Sequence, residues 1–421
     1  MNVFFFIILS ALILEFVLGT VANLLNLKAL KFELPSGLED VYQLDEYRNS
    51  QEYTRAITRF DFISSTFSLI ILLSFWFAGG FNYLDQTVRS WGFIPVANGL
   101  LSIGILLTAY SLLRLPFTIY TTFVIEERFG FNRTTPHLFL LDQVKGFALA
   151  ILLGAPLLAI VLVLFEYTGY FAWLYCWGTV TIFSLVMQFV SPAWIMPLFN
   201  KFTPIQSGEL KEAILNYTRS VDFPVKKVFV IDSSKRSTKS NAFFTGFGQN
   251  RRIALFDTLV EKHTVPELVA VLAHEIGHYK KKHVLKGTII GILHTGVLFF
   301  LLSFFLGSPG LYEAFFMEQQ SVYSGILFFG LLYTPIETLL SIAIQAASRK
   351  NEYAADQFAT ETIQEPQRLA DALKKLSAVN LSNLTPHPFY ILLNYSHPPL
   401  AERIRAISKY KAQLRRKEVS G

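Results

Sequence analysis

Apolar stretches long enough to cross a hydrocarbon core of about 30 Å recur seven times along this chain of 421 residues, and no other feature constrains its fold so strongly. They lie at roughly 3–27, 61–81, 94–124, 146–166, 171–199, 285–306 and 322–347. In lipid each span must satisfy its own backbone polar groups, so the expected fold class is an all-α polytopic membrane protein. Composition agrees. Hydrophobic residues make up 52% and charged residues 16%, against about 25% charged in an average soluble domain, which excludes a disordered chain and an ordinary soluble enzyme. The first span is expected to be retained, since no Lys or Arg precedes it and it is too long for a signal core. Pro116, Pro192 and Pro197 sit near span ends, where a helix can stop at little cost.

Basic residues orient the spans, because short cytoplasmic loops are enriched in Lys and Arg. Lys28, Lys31, Arg48, Arg55 and Arg59 fall in the first connection and Arg128, Arg133 and Lys145 in the third; the second has only Arg89, and the fourth and sixth have none. The N-terminus is therefore expected outside, and the C-terminal tail with Arg349, Lys350 and the run Arg415 to Lys417 inside. The net charge of +6 reads as this topology signal, and no nucleic-acid partner is expected. The lipid bilayer is the first partner implied.

Four parts follow: 1–199, spans one to five with cytoplasmic loops; 200–284, a soluble segment; 285–347, spans six and seven; and 348–421, a cytoplasmic C-terminal segment. Residues 200–284 begin with a helix over 208–217, followed by apolar runs at 227–232, 241–247 and 252–256 that predict a β-hairpin or three-stranded sheet. Residues 348–421 read as helices interrupted by the Pro-rich stretch 386–399.

The sharpest chemical signal is Ala273-His274-Glu275-Ile276-Gly277-His278, within a helical run from Val265 to His283. Positions i and i+4 share a helix face, so His274 and His278 can bind one Zn2+ ion while Glu275 lies beside a water activated by the ion. Glu275 is then the general base that takes the proton and returns it to the leaving amine, and the reaction is peptide hydrolysis. A single cysteine, Cys176, leaves His and carboxylates as the ligands for a metal.

A catalytic zinc site needs a third protein ligand. Glu352, in Ser348-Arg349-Lys350-Asn351-Glu352-Tyr353-Ala354-Ala355-Asp356, is the choice. Asp356 lies one turn further on the same face, where it can accept the second ring N–H of a ligand histidine. Helix lengths support Glu352. From His278 to the end of the sixth span is roughly 42 Å of helix, and from the start of the seventh span to Glu352 roughly 45 Å, whereas Glu337 would sit roughly 20 Å deeper.

These segments resemble the type I CAAX prenyl endopeptidases, the a-factor-converting integral-membrane zinc metalloproteases. The resemblance is carried by Ile125 to Asn132, Pro197 to Pro204, Ser234 to Phe244, Ile253 to Thr258, the His274 to His278 motif, Asn351 to Ala359 and Tyr395 to Arg403, in that order along most of the chain. The first span and residues 80–120 are matched only in hydropathy. The resemblance implies seven transmembrane helices around an internal water-filled chamber, with a small soluble α+β zinc-protease part near the cytoplasmic face. It implies His274, His278 and Glu352 as ligands of one Zn2+ and Glu275 as base. It also implies Asn241 and Ala242 as contacts to an extended substrate, and His397 as donor to the oxyanion. An edge strand at 241–247 suits β-augmentation by a peptide, and a donor is needed where negative charge develops. Arg403 would orient Glu352 or Asp356, or touch substrate.

The function expected is hydrolysis of peptide bonds near the C-terminus of a prenylated, CAAX-type or other hydrophobic peptide, in a bacterial inner membrane or the endoplasmic reticulum membrane, with the active site toward the cytoplasm. Two alternatives stay open: a membrane-protein quality-control zinc protease without a prenyl requirement, and a channel or transporter in which the motif is structural. Glu15, Arg114, Gln188, Glu337 and Gln345, polar residues within or at the ends of spans, are expected to face an aqueous interior or one another.

Overall fold

The computed structural model describes residues 1–421 except 32, 36–37, 40–41, 224, 226, 246–251 and 421. Among the described residues, seven helices are long and apolar enough to cross a membrane: Val3–Ala29, Leu44–Phe77, Pro95–Glu126, Pro136–Tyr167, Gly169–Phe199, His283–Phe305 and Val322–Thr362. Each covers one of the seven apolar stretches to within a few residues, the second ending at Phe77 and not at the expected 81. The second and seventh extend well beyond them. The second helix starts 17 residues before its apolar run, with Asp45 and Glu46 in its first turn, where carboxylates favour the helix N-terminus. The seventh continues to Thr362 because helix-forming residues run on past 347 and Pro366 is the next breaker. The divide expected at 347–348 therefore falls inside a helix.

The prolines act differently from the expectation that helices stop at them. The third span passes through Pro116 and closes with a π-turn at Thr121–Glu126, while Pro192 lies inside a π-turn at Ser191–Ile195 within the fifth. A wider turn accommodates the missing N–H without ending the helix.

The most apolar window of each span is only 0–28% buried within the protein. Most of these side chains therefore face lipid or open space and not a packed helical core. Polar groups in the spans find one another: Arg114 reaches Ser64 and Ser68, Gln188 reaches Thr288 at 3.5 Å, Gln345 donates to the Leu393 carbonyl at 2.8 Å, and Glu337 Oε2 lies 3.3 Å from His294 Nε2. Glu15 is exposed. A cavity of about 380 Å³ opens between the fifth and sixth spans beside Gln188 and Thr288. At the end of these helices near the 307–321 connection, aromatic rings pack tightly, with Phe315 stacked on Phe328 at 3.9 Å and on Trp76 at 4.6 Å.

The soluble part carries a four-stranded sheet in the order β1–β2–β4–β3, comprising β1 (Phe202–Pro204), β2 (Lys227–Ile231), β3 (Ala242–Thr245) and β4 (Arg252–Phe256). The expected hairpin or three-stranded sheet lacks β1, a three-residue strand that ends on a proline and is tolerated because it lies at an edge. β2 and β4 run parallel, while β3 pairs antiparallel with β4 and forms the opposite edge. The expected strand at 241–247 is described as far as Thr245; 246–247 lie outside the described residues.

Against this sheet packs the motif helix Val265–Lys280, with Leu268, Leu272, Ala273 and Ile276 in a core shared with Ile253, Leu255, Ala242 and Ile407. Its start is fixed by a capping box in which Glu267 Oε2 accepts the Thr264 N–H at 2.8 Å. The loop that leads into β3 is bolted to the membrane helices. Arg236 donates to both oxygens of Asp142 at 2.7 and 2.8 Å and to Asn200 at 2.8 Å, and Lys239 donates to Tyr53 at 2.8 Å and Glu126 at 3.0 Å.

Candidate metal centre

His274 and His278 lie one turn apart on the motif helix, and Glu352 faces them from the seventh-span helix. His274 Nε2 and His278 Nε2 are 3.1 Å apart. Glu352 Oε2 lies 3.3 Å from the first and Glu352 Oε1 3.2 Å from the second. The three residues converge with ligand atoms all within 4.8 Å of one another. Glu352 is buried, yet its Oε2 has no hydrogen-bond partner among the described residues. A carboxylate oxygen orphaned between two imidazole nitrogens, with two nitrogens and one oxygen as donors, fits a divalent zinc ion with a position left open for water or substrate.

Around these three, further groups set proton positions and charge. His274 Nδ1 lies 2.8 Å from Asp356 Oδ1. Arg403 donates to both oxygens of that carboxylate, at 2.8 Å through Nε and 2.6 Å through Nη2, and its Nη1 stands 3.6 Å from Glu352 Oε2. Asp356 is fully buried and Arg403 nearly so, and their charges cancel. Burial alone would disfavour a charged His274, but the facing carboxylates of Asp356 and Glu352 outweigh it and push its pKa up to about 9. The pocket thus stabilises positive charge where a cation would bind. Glu275 lies beside the histidines on the motif helix. Burial pushes its carboxyl up, against the pull of His274 and His278, toward a carboxylate that can hold a proton.

His397 brings Nε2 to 3.3 Å from Glu352 Oε1, and its Nδ1 lies 2.9 Å from Ser396 Oγ; the side chain is 63% exposed. The segment before it is held by the helix that carries Glu352, because Arg349 donates to the carbonyls of Tyr395 at 2.6 Å and Ile391 at 3.2 Å. A cavity of about 360 Å³ opens beside His397, Ser396, Tyr395, Asn380 and Arg403.

Asn241 and Ala242 stand at the entry to β3. The Phe256 N–H donates to the Asn241 carbonyl at 3.1 Å, and Ala242 pairs with Leu255. In an antiparallel ladder the backbone groups of Ala242 and Phe244 therefore point to the free edge. The Asn241 side chain accepts the Ala242 N–H at 2.8 Å. Ala242 is buried in the core with the motif helix, so it offers its backbone only.

Three groups near the site were not singled out from sequence. His283 Nδ1 lies 3.1 Å from His278 Nδ1. Asn380 spans the Ser240 backbone, accepting its N–H at 3.0 Å and donating to its carbonyl at 3.1 Å. Arg349 is the third. Each acts across a turn or between segments distant in sequence, where spacing carries no signal.

Two family models match successive parts of the chain. Residues 23–201 match the family model described as CAAX prenyl protease N-terminal, five membrane helices, and residues 204–411 match peptidase family M48. The chain is 35% identical to the CAAX prenyl protease 1 homolog of Oryza sativa, over 95% of this chain and 96% of the rice protein. It is likewise 35% identical to CAAX prenyl protease 1 of Saccharomyces cerevisiae, over 90% and 89%. The crystal structure of S. mikatae Ste24p superposes with a TM-score of 0.92 at 34% identity, covering 97% of this chain and 99% of that one.

Proposed function

The chain belongs to the CAAX prenyl protease 1 family of M48 peptidases and is an integral, multi-pass membrane metalloprotease, and from that premise we propose that it is a zinc endopeptidase cutting near the C-terminus of prenylated, CAAX-type peptides. The observation that carries the reading is the convergence of His274, His278 and Glu352 from two helices, with Glu275 beside them.

Zinc, when bound, supplies Lewis acidity to water and to the peptide carbonyl. His274 and His278 would hold it through Nε2 and Glu352 through its carboxylate. Asp356 accepts a hydrogen bond from the Nδ1–H of His274, so that the proton stays on Nδ1 and Nε2 presents its lone pair, and Arg403 keeps that carboxylate charged and fixed. Glu275 removes a proton from the attacking water and passes it to the leaving amine. Its burial suits the first role, since a carboxylate whose pKa is raised accepts a proton more readily than an exposed one. The backbone edge of β3 at Ala242, with Asn241, lines up an extended substrate. His397, hinged beside Glu352, donates to the oxygen that becomes negative. In this reading the site opens on the cytoplasmic side of an endoplasmic reticulum or bacterial inner membrane, which the Lys and Arg content of the odd connections supports.

The test is a matched pair of peptides, farnesylated and unmodified, offered to purified protein, with cut positions read by mass spectrometry. Preferential cleavage of the farnesylated peptide near its C-terminus is expected. Equal cleavage of both would replace the prenyl reading with that of a general membrane-protein quality-control protease. No cleavage of either by zinc-loaded protein would overturn the substrate class.

A further inference from the structure

We propose that His283 is a positioning residue for the metal ligand His278: its neutral imidazole accepts the Nδ1–H of His278 and so holds His278 Nε2 unprotonated and aimed at the metal. The inference rests on the reading of His274, His278 and Glu352 as the ligand set.

The geometry leaves little choice of proton placement. Two ring nitrogens 3.1 Å apart form a hydrogen bond only if one donates and the other accepts. His278 Nε2 is the nitrogen turned toward Glu352 Oε1 and His274 Nε2. A nitrogen that binds metal must present its lone pair, so the His278 proton belongs on Nδ1, and His283 Nδ1 is the acceptor. The ring centroids lie 5.1 Å apart at 75°, an edge-on approach that allows a donor in the plane of one ring to meet a nitrogen of the other.

The chain is bent to make this contact. Along an unbroken helix, a residue five positions beyond His278 would lie about 140° away around the axis. Instead the motif helix ends at Lys280, the Lys281 N–H closes on the Gly277 carbonyl at 2.9 Å, and Lys282 adopts a left-handed conformation with φ 58° before the sixth span begins at His283. That conformation is unfavourable for a residue with a Cβ. It turns the first residue of the sixth span back over the second histidine of the motif.

The two ligand histidines thus have outer partners of different charge. His274 is held by Asp356, whose charge Arg403 cancels, and His278 by an uncharged ring. Among the described residues Glu352 is the one carboxylate that touches both ligand histidines, and Arg403 Nη1 stands 3.6 Å from it. A carboxylate in place of His283 would add a second anion and weaken the Lewis acidity of the bound ion.

The experiment measures zinc retention by the full-length, zinc-loaded protein against a competing chelator, with the melting temperature of the metal-free protein as a check on the fold. His283→Ala is expected to weaken zinc binding by about 10- to 100-fold. His283→Asn, whose side-chain oxygen replaces Nδ1 as acceptor, is expected to stay within about threefold of wild type on the same scale. His278→Ala is the control. If His278→Ala keeps zinc as wild type does, the ligand assignment itself is wrong. If His278→Ala loses zinc while His283→Ala keeps it, the positioning role is overturned and the ligand set stands. Should His283→Ala fail to fold, the Asn variant still decides, since a loss as large as that of His278→Ala in a folded protein refutes an acceptor role.

Discussion

A Cβ placed on Gly277 would lie 3.0 Å from both the Cα and the carbonyl oxygen of Ala355. Gly277 sits immediately before His278, and Ala355 between Glu352 and Asp356, so the bare backbone of the motif helix lies against the seventh-span helix where the candidate ligands meet. The atoms in the way are backbone, which cannot swing aside. Gly277→Ala should therefore force the helices apart by a few tenths of an ångström, costing about 1–3 kcal/mol of stability. It should also weaken zinc retention in a chelator competition. Unchanged retention together with an unchanged melting temperature would show that the close approach does not set the site.

Glu275→Ala should abolish turnover while leaving zinc bound, because in the proposed mechanism the residue moves protons and it is not among the converging donors. Loss of a general base lowers the rate by about 10² to 10⁴. Elemental analysis should find wild-type metal content. Cleavage at the wild-type rate would remove Glu275 from the mechanism.

Glu352→Ala should lower zinc occupancy as well as activity, whereas Glu337→Ala should keep the metal. Glu352 Oε1 and Oε2 lie within 3.3 Å of the two histidines, whereas Glu337, 15 residues before Glu352 on the same helix and so roughly 22 Å away, pairs instead with His294 of the sixth span. The opposite pattern of metal loss would overturn the assignment.

The meeting of His278 with Glu352 was legible from chain lengths, since an apolar span is a ruler of 1.5 Å per residue and two spans joined by a short connection return to the same depth. That reasoning survives the break at Lys281–Lys282 because the break lies close to the site and alters the depth little. The seven spans were legible for the same reason: burial in lipid leaves a signal about twenty residues long. What escaped was short or non-local. β1 is three residues with a proline, and the parallel pairing of β2 with β4 depends on the intervening chain. His283 meets His278 only because Lys282 takes a left-handed turn that nothing in a lysine run announces. Spacing placed Asp356 one turn from Glu352, whereas its guanidinium partner Arg403, 47 residues on and beyond any periodicity, was reached only through the family resemblance, which left Glu352, Asp356 and substrate open as its partners.

Stability should depend on pH through Glu267. Burial raises its carboxyl, but the Thr264 N–H and Lys375, at 2.8 and 3.0 Å, outweigh burial and hold it below the usual carboxylate range. A group whose folded pKa is depressed stabilises the fold fully above its unfolded pKa of about 4.3, and loses that contribution as pH falls through the folded value. Glu267→Gln should thus melt at a lower temperature than wild type at pH 7, by the equivalent of about 0.5–2 kcal/mol for a weakened cap, and the gap should close below about pH 4. A gap independent of pH would mean that packing, not charge, accounts for the role of Glu267.

The loop before β3 predicts how membrane helices and substrate binding are linked. Arg236 grips both oxygens of Asp142, in the fourth span, and Lys239 reaches Glu126 at the end of the third span and Tyr53 on the second. Residues 237–240 separate the Arg236 anchor from Asn241, and Asn380 fixes Ser240 from the other side. The free edge at Ala242 is therefore registered against the membrane helices and not by the sheet alone. Arg236→Ala should loosen that register and leave the histidines and Glu352 in place, because these sit on the motif and seventh-span helices. The expected result is a KM raised several-fold with zinc content unchanged. Arg236→Lys should recover only part of the loss, since an ammonium cannot reproduce the two-pronged grip on Asp142. An unchanged KM would show that β3 holds its register without the anchor, and a fall in zinc content would show that the anchor supports the metal centre instead.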